Sequence, residues 1–180
     1  MSRNRIIGIN GKLPWSIPED RTAFKELTKD KLLIIGRRTY EEEANECHID
    51  HAKTCIVVSA SAEESLGSCR IHVARSFPDA LGMARKLLDN DNEHEIQCWV
   101  AGGESLYEEA LKHKSAHVLH LTVVDLDLDP TQFCTDEGPA KVALFPRKFI
   151  WDRHFNETSK TIIRTGSYSY TQILYERKTR

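Results

Sequence analysis

The sequence has no apolar run long enough to cross a membrane, and its opening residues do not read as a signal segment. Neither a Gly/Ser-rich linker nor an internal repeat divides it, so one domain spanning 1–180 is expected. No strong charge of either sign is present: 25 Lys and Arg stand against 27 Asp and Glu, for a formal net charge of −2. That balance removes the long-range attraction to nucleic acid or anionic lipid, and neither is expected as a partner. The GxGxxG fingerprint of dinucleotide-binding βαβ units is missing as well. Cysteine is sparse and odd in number. Cys47, Cys55, Cys69, Cys98 and Cys134 form no close pairs, which points to reduced thiols and a cytoplasmic setting. Cys55 and Cys98 lie in apolar runs and are expected to fill the core. His48 and His51 have a weak metal-pair spacing without partner ligands in view, so no metal is expected.

What the chain does have is alternation. Helical patterns over 18–29, from residue 37 into Glu41-Glu42-Glu43, over 78–89 and over 104–112 are separated by β-rich runs at 31–35, 54–58, 70–73, 96–101 and 118–124. The segments 149–155 and 168–176 read as a closing antiparallel pair, and 129–144 as a surface loop. The expected fold class is therefore α/β: a single-domain, mostly parallel mixed sheet flanked by helices, with an antiparallel C-terminal edge.

Two kinds of local pattern carry chemistry. In Leu13-Pro14-Trp15-Ser16-Ile17-Pro18, Pro18 suits a first helical position and Ser16 is placed to cap the helix. Helical spacing then sets Asp20, Phe24, Leu27 and Thr28 on or beside one face, which should look inward because Phe24 and Leu27 need burial. An Asp beside an apolar stripe needs a cationic or hydrogen-bonding partner. The second pattern is a glycine closing an apolar strand and opening a helix, at Gly36 and again at Gly102-Gly103. Such turns let a ligand approach free N–H groups at a helix N-terminus, and two of them suit a pyrophosphate. Arg37 and Arg38 add forked donors that match a phosphate.

These segments resemble the dihydrofolate reductase family. The resemblance lies in Leu13-Pro14-Trp15 with Asp20, Phe24 and Thr28; in Ile34-Ile35-Gly36-Arg37-Arg38-Thr39-Tyr40; in Val57-Val58-Ser59; in Val100-Ala101-Gly102-Gly103-Glu104-Ser105-Leu106-Tyr107; in Leu119-His120-Leu121-Thr122; and in Tyr168-Ser169-Tyr170 through Leu174-Tyr175-Glu176-Arg177. It runs in order from Asn4 to Arg177.

The resemblance implies NADPH-dependent reduction of 7,8-dihydrofolate to tetrahydrofolate by a cytoplasmic monomer. It implies catalytic roles for Asp20, Trp15, Leu13 and Thr122: Asp20 orients the pterin and favours its protonation, Thr122 supports Asp20, Trp15 holds an ordered water, and Leu13 tips a mobile loop over the nicotinamide. Phe24, Lys53 and Ala101 would contact substrate. Ile7, Gly36, Arg37, Arg38, Thr39, Val58, Ser59, Arg75, Gly102, Gly103, Glu104, Ser105, Leu106 and Tyr107 would contact NADPH, with Arg37, Ser59 and Arg75 at its 2′-phosphate.

The chain departs from the family pattern at several positions. An apolar central strand that precedes Ser2-Arg3-Asn4-Arg5 in the family has no counterpart, so that strand is expected to be missing. Lys53 replaces an Arg that clamps the substrate's tail carboxylate, Ala101 a larger aliphatic residue, and Glu104 a third glycine. The acidic run at Glu41 is expected to repel an anionic tail unless it faces solvent. Two other readings share these features: a riboflavin-pathway pyrimidine reductase of the same fold, and a non-catalytic nucleotide-binding domain.

Overall fold

The computed structural model describes residues 1–45, 49–61, 70–89, 97–136 and 138–179. In chain order these form β1 (Ile6–Ile9), α1 (Pro18–Thr28), β2 (Leu32–Gly36), α2 (Arg37–Asn45), β3 (Thr54–Val58), β4 (Ile71–Ala74), α3 (Phe77–Asp89), β5 (Cys98–Val100), α4 (Glu104–Lys112), β6 (Val118–Val124), β7 (Val142–Leu144), β8 (Phe155–Arg164) and β9 (Ser169–Arg177). Two compact units result: Pro18–Leu106, and Met1–Ile17 with Tyr107–Arg180. No described helix is long and apolar enough to cross a membrane. Cys47, Cys69 and His48 lie outside the described residues.

In the Pro18–Leu106 unit, the aliphatic run of β2 fits a strand covered on both faces. Leu32, Leu33, Ile34 and Ile35 are all buried. β3 and β5 flank β2 in parallel, and β4 continues outside β3, giving the order β4-β3-β2-β5. The parallel arrangement read from the sequence is borne out. The α3 helix buries Phe77, Ala80 and Ala84, the spacing of one helical stripe. Its start is fixed by Ser76, whose hydroxyl accepts from the Asp79 N–H and donates to the Asp79 carboxylate at 2.6 Å. Pro18 opens α1 as the sequence suggests, but the inward face differs. Thr28 is fully buried, whereas Leu27, expected inside, is 38% exposed. Burial also pushes the Cys55 thiol up to about 11, with Asp50 adding to the rise, so Cys55 is inert core filler as expected. Cys98 exposes much of its residue surface at the first position of β5, yet its thiol is desolvated and pushed up to about 12.

In the other unit, β6, β9 and β8 form an antiparallel sheet in that order, and β1 pairs antiparallel with β7. The antiparallel C-terminal part of the fold is thus as expected, but its first strand begins later. Residues expected as strand from 149 form two short 3-10 turns, Lys148–Ile150 and Asp152–His154. Trp151 and Phe155 turn into the core while Phe149 is 61% exposed, whereas a regular strand would put 149, 151 and 155 on one side of the pleat and bury them together. The 129–144 segment is more ordered than a loop: Asp129 caps a 3-10 turn at Pro130–Phe133, and β7 follows.

The chain start lies beside β6. The Met1 amine donates to the Thr122 carbonyl at 2.6 Å, the Val124 N–H donates to the Met1 carbonyl at 2.8 Å, and Ser2 bridges Val124 in parallel. Ser2 is fully buried, and its hydroxyl oxygen accepts from the Ile6 N–H at 2.9 Å while its proton goes to Asn4.

An aromatic cluster centres on Trp151, whose ring meets Phe145, Phe155 and Tyr175 edge-on at 6.4, 6.5 and 5.0 Å. Arg177 lies over the Phe155 ring at 4.7 Å. Its guanidinium donates to the carbonyls of Leu111, in the last turn of α4, and of His113 and Ala116 just beyond it. Arg177→Ala is expected to lower the unfolding free energy by about 2 kcal/mol in denaturant titration, because charged hydrogen bonds to partly buried carbonyls are lost together. Arg177→Lys should recover only part of that, since a point charge cannot reach carbonyls in a fork geometry.

Candidate cofactor and substrate site

The carboxyl ends of the parallel strands bring most of the expected cofactor residues together within the Pro18–Leu106 unit. β2 ends at Gly36, whose N–H donates to the Gly102 carbonyl at 2.7 Å. The turn after β2 and the turn after β5 are thus in backbone contact. A Cβ at Gly36 would lie 3.4 Å from the Gly103 nitrogen and 3.5 Å from the Gly102 oxygen. A Cβ at Gly103 would lie 3.1 Å from Thr39 Oγ1. The Gly102–Gly103 peptide is cis, and Gly102 has φ +110, in the region that favours glycine. From this pair of turns α2 starts at Arg37 and α4 at Glu104, so two helix N-termini arise from adjoining backbone.

Beside it, Val58 pairs with Ala74, and the Ser59 N–H donates to the Ala74 carbonyl at 2.9 Å. This brings the nearly buried Ser59 next to the turn that carries the exposed Arg75. Arg38 is exposed, and Arg37 donates through Nε to Glu41 Oε1 at 2.7 Å. Leu106 is buried within van der Waals reach of Gly36, and Glu104 and Ser105 are exposed on the first turn of α4. Glycine backbone, Thr39, Ser59 and arginines at the carboxyl ends of adjacent parallel strands make a donor set that fits a phosphate-bearing dinucleotide.

The expected substrate residues of this unit lie on α1 and the strand ends. Asp20 is half-buried on the first turn of α1, and Phe24 is half-buried one turn later. Ala101 is half-buried after β5, its N–H donating to the Ile34 carbonyl at 2.9 Å. Lys53 is exposed just before β3. It lines an open cleft of about 360 Å³ with Lys29, Asp30, Asp50, His51, Ala52 and Arg70. His51 was not among the expected site residues. Its ring meets Phe24 edge-on at 5.9 Å, and its Nε2 lies 2.6 Å from Thr28 Oγ1. No local spacing links it to α1, because the two meet only through the fold.

The remaining expected residues belong to the other unit. Leu13 is 40% exposed and follows a tight turn at Asn10 (φ 51) and Gly11 (φ 83), the Asn-Gly pair that such turns favour. Asn10 anchors that turn, exchanging hydrogen bonds with Lys141 and donating to the Phe133 carbonyl. The Asn-Gly pair is a local sequence signal for the end of β1. Trp15 is buried with Ile17, Val124 and Tyr170. Ile7 and Tyr107 pack against the Trp151 cluster, Tyr107 at 5.4 Å from Phe145. Thr122 lies on β6 opposite Gln172.

A parallel sheet whose adjoining glycine turns open two helices defines an α/β protein with helix N-termini gathered at its strand ends. Residues 1–171 match the family model for dihydrofolate reductase. The dihydrofolate reductase of Bacillus subtilis (strain 168) is 26% identical over 189 aligned positions, covering 99% of this chain and 91% of that protein. Dihydrofolate reductase type A13 of Escherichia coli is 28% identical with the same coverage, and dihydrofolate reductase HdrB of Haloferax volcanii is 27% identical over 97% of this chain and 79% of its own length. The chain belongs to the dihydrofolate reductase family.

Gly103→Ala would push the Thr39 hydroxyl aside. It is expected to weaken binding of a reduced nicotinamide dinucleotide about tenfold, roughly the worth of one hydrogen bond, in a fluorescence titration. The circular dichroism spectrum should stay that of the wild type.

Proposed function

We propose that this chain reduces 7,8-dihydrofolate to 5,6,7,8-tetrahydrofolate, with NADPH as the hydride donor. The match of residues 1–171 to the dihydrofolate reductase family carries this reading. The riboflavin-pathway reductase and the non-catalytic nucleotide-binding domain are not favoured by that match. The odd, scattered cysteines support a cytoplasmic setting, and the chain is taken to act as a monomer.

When bound, NADPH would supply the hydride for C6 of the pterin, and a proton at N5 would complete reduction of the C6–N5 double bond. Asp20 is the carboxylate this unit offers on the inner part of α1. Ionised, it accepts two hydrogen bonds, from the pterin 2-amino group and the adjacent ring nitrogen, and so fixes the ring's orientation. Its negative charge favours the protonated pterin, with water carrying the proton to N5. Phe24, one turn along α1, offers its ring to the flat body of the substrate. Lys53 offers a charge to the tail carboxylate, as a point and not a fork. Gly36, Thr39, Gly102 and Gly103 would hold the pyrophosphate, and Arg37, Ser59 and Arg75 the 2′-phosphate.

Asp20→Asn is expected to lower kcat for NADPH oxidation with dihydrofolate by about a hundredfold or more, the scale of a lost proton-transfer contribution. An unchanged kcat would remove Asp20 from the mechanism. Arg37→Gln combined with Arg75→Gln should cut the preference for NADPH over NADH by about tenfold, through the KM of NADPH, since charge-assisted contacts are made only to the extra phosphate.

A further inference from the structure

We infer that His51 is a positioning residue for substrate binding, setting Phe24 and Lys53 relative to each other. The inference rests on the reading of those two residues as substrate contacts.

The Thr28 hydroxyl has one proton, and it goes to the Phe24 carbonyl at 2.6 Å. Toward His51 Nε2, also 2.6 Å away, the same oxygen can therefore only accept, so Nε2 carries a hydrogen. Thr28 is fully buried, and its oxygen cannot turn to water for a substitute. The imidazole and the Phe24 ring meet edge-to-face, their centroids 5.9 Å apart and their planes at 82°. One side chain thus touches both the ring of Phe24 and, through Thr28, its backbone carbonyl.

His51 is equally tied on its own loop. The Asp30 N–H donates to the His51 carbonyl at 3.0 Å, and the Lys53 N–H donates to the Lys31 carbonyl at 3.0 Å. Residues 51 and 53 are therefore laced to residues 30 and 31, where α1 hands the chain to β2. Lys53 and His51 line the same cleft. A substrate with a flat ring for Phe24 and an anionic tail for Lys53 needs those contacts at a fixed separation. The imidazole holds that separation by bracing the helix turn against the loop.

The test is steady-state kinetics on His51→Leu, His51→Gln, Thr28→Val and Phe24→Ala, each checked for its unfolding midpoint. His51→Leu is expected to raise the KM for dihydrofolate about tenfold, the scale of one buried hydrogen bond, while kcat and the KM for NADPH change less than about twofold. His51→Gln, which can return a donor to the Nε2 position, should recover most of the loss. Thr28→Val removes the acceptor and should match His51→Leu, and the two together should add little more. A wild-type KM in either His51→Leu or Thr28→Val, with Phe24→Ala raising it, overturns the role of His51 and leaves the reading of α1 standing. A parallel fall in kcat and in both affinities shows a merely structural role and overturns it too. A wild-type KM in Phe24→Ala overturns the substrate reading itself, and the His51 role with it.

Discussion

One backbone hydrogen bond, from the Gly36 N–H to the Gly102 carbonyl, is the constraint on which the candidate cofactor site depends. A parallel strand covered on both faces satisfies its polar groups through its neighbours and must shed the chain at its end. β2 and β5 shed theirs at the same place, and the space between the turns is too small for a Cβ at Gly103 without moving Thr39. Glycine suits the turn after β5 because Gly102 has φ +110 and a Cβ at Gly103 would crowd the Thr39 hydroxyl. The touching turns in turn place two helix starts together, with N–H groups that no helical carbonyl can reach. The burial of four aliphatic residues in β2 and the meeting of two helix starts at its end are two consequences of one arrangement.

The second unit solves a different problem. Its sheet is antiparallel and its core is aromatic, so its order comes from ring geometry and from one long cation. Arg177 serves two functions at once: its flat face covers Phe155, and its donors take the carbonyls beyond the last turn of α4. Desolvation there pulls the guanidinium below its usual range, a sign that it gives up water for those carbonyls. Lysine has neither the plane nor the fork for this.

The sequence revealed elements whose signal is local. β2 and β3 read as strands because every position in each is apolar or β-branched, and the glycine turns read as phosphate-type turns because glycine falls between a strand and a helix. The sequence failed where a short signal competes with a longer one. β1 has too few residues for periodicity to register, and only its Asn-Gly turn marks it. The segment 149–155 reads as a strand, whereas its Trp151 and Phe155 serve a packed corner that also takes in Phe145 and, from far away in sequence, Tyr175. Leu27 was assigned inward by spacing, yet Thr28 takes the buried position because its hydroxyl has partners in Phe24 and His51. His51 was invisible as a site residue for the same reason: what makes it matter lies 23 residues away.

Glu41, the first residue of the acidic run, meets a cation of its own helix in the fold. Read alone, it sets negative charge near an anionic substrate. In the structure Glu41 faces Arg37 one turn earlier on α2, with their side chains 52% and 47% exposed. An exposed pair at this spacing is worth at most about 1 kcal/mol, so a phosphate arriving at Arg37 can displace Glu41 at little cost. Until then the carboxylate keeps the guanidinium close to the start of the helix and out of the many rotamers open to a free arginine. On the proposed reading Glu41 acts on the cofactor side, through Arg37, and the charge that seemed set against the substrate instead preorganises the group that receives the phosphate.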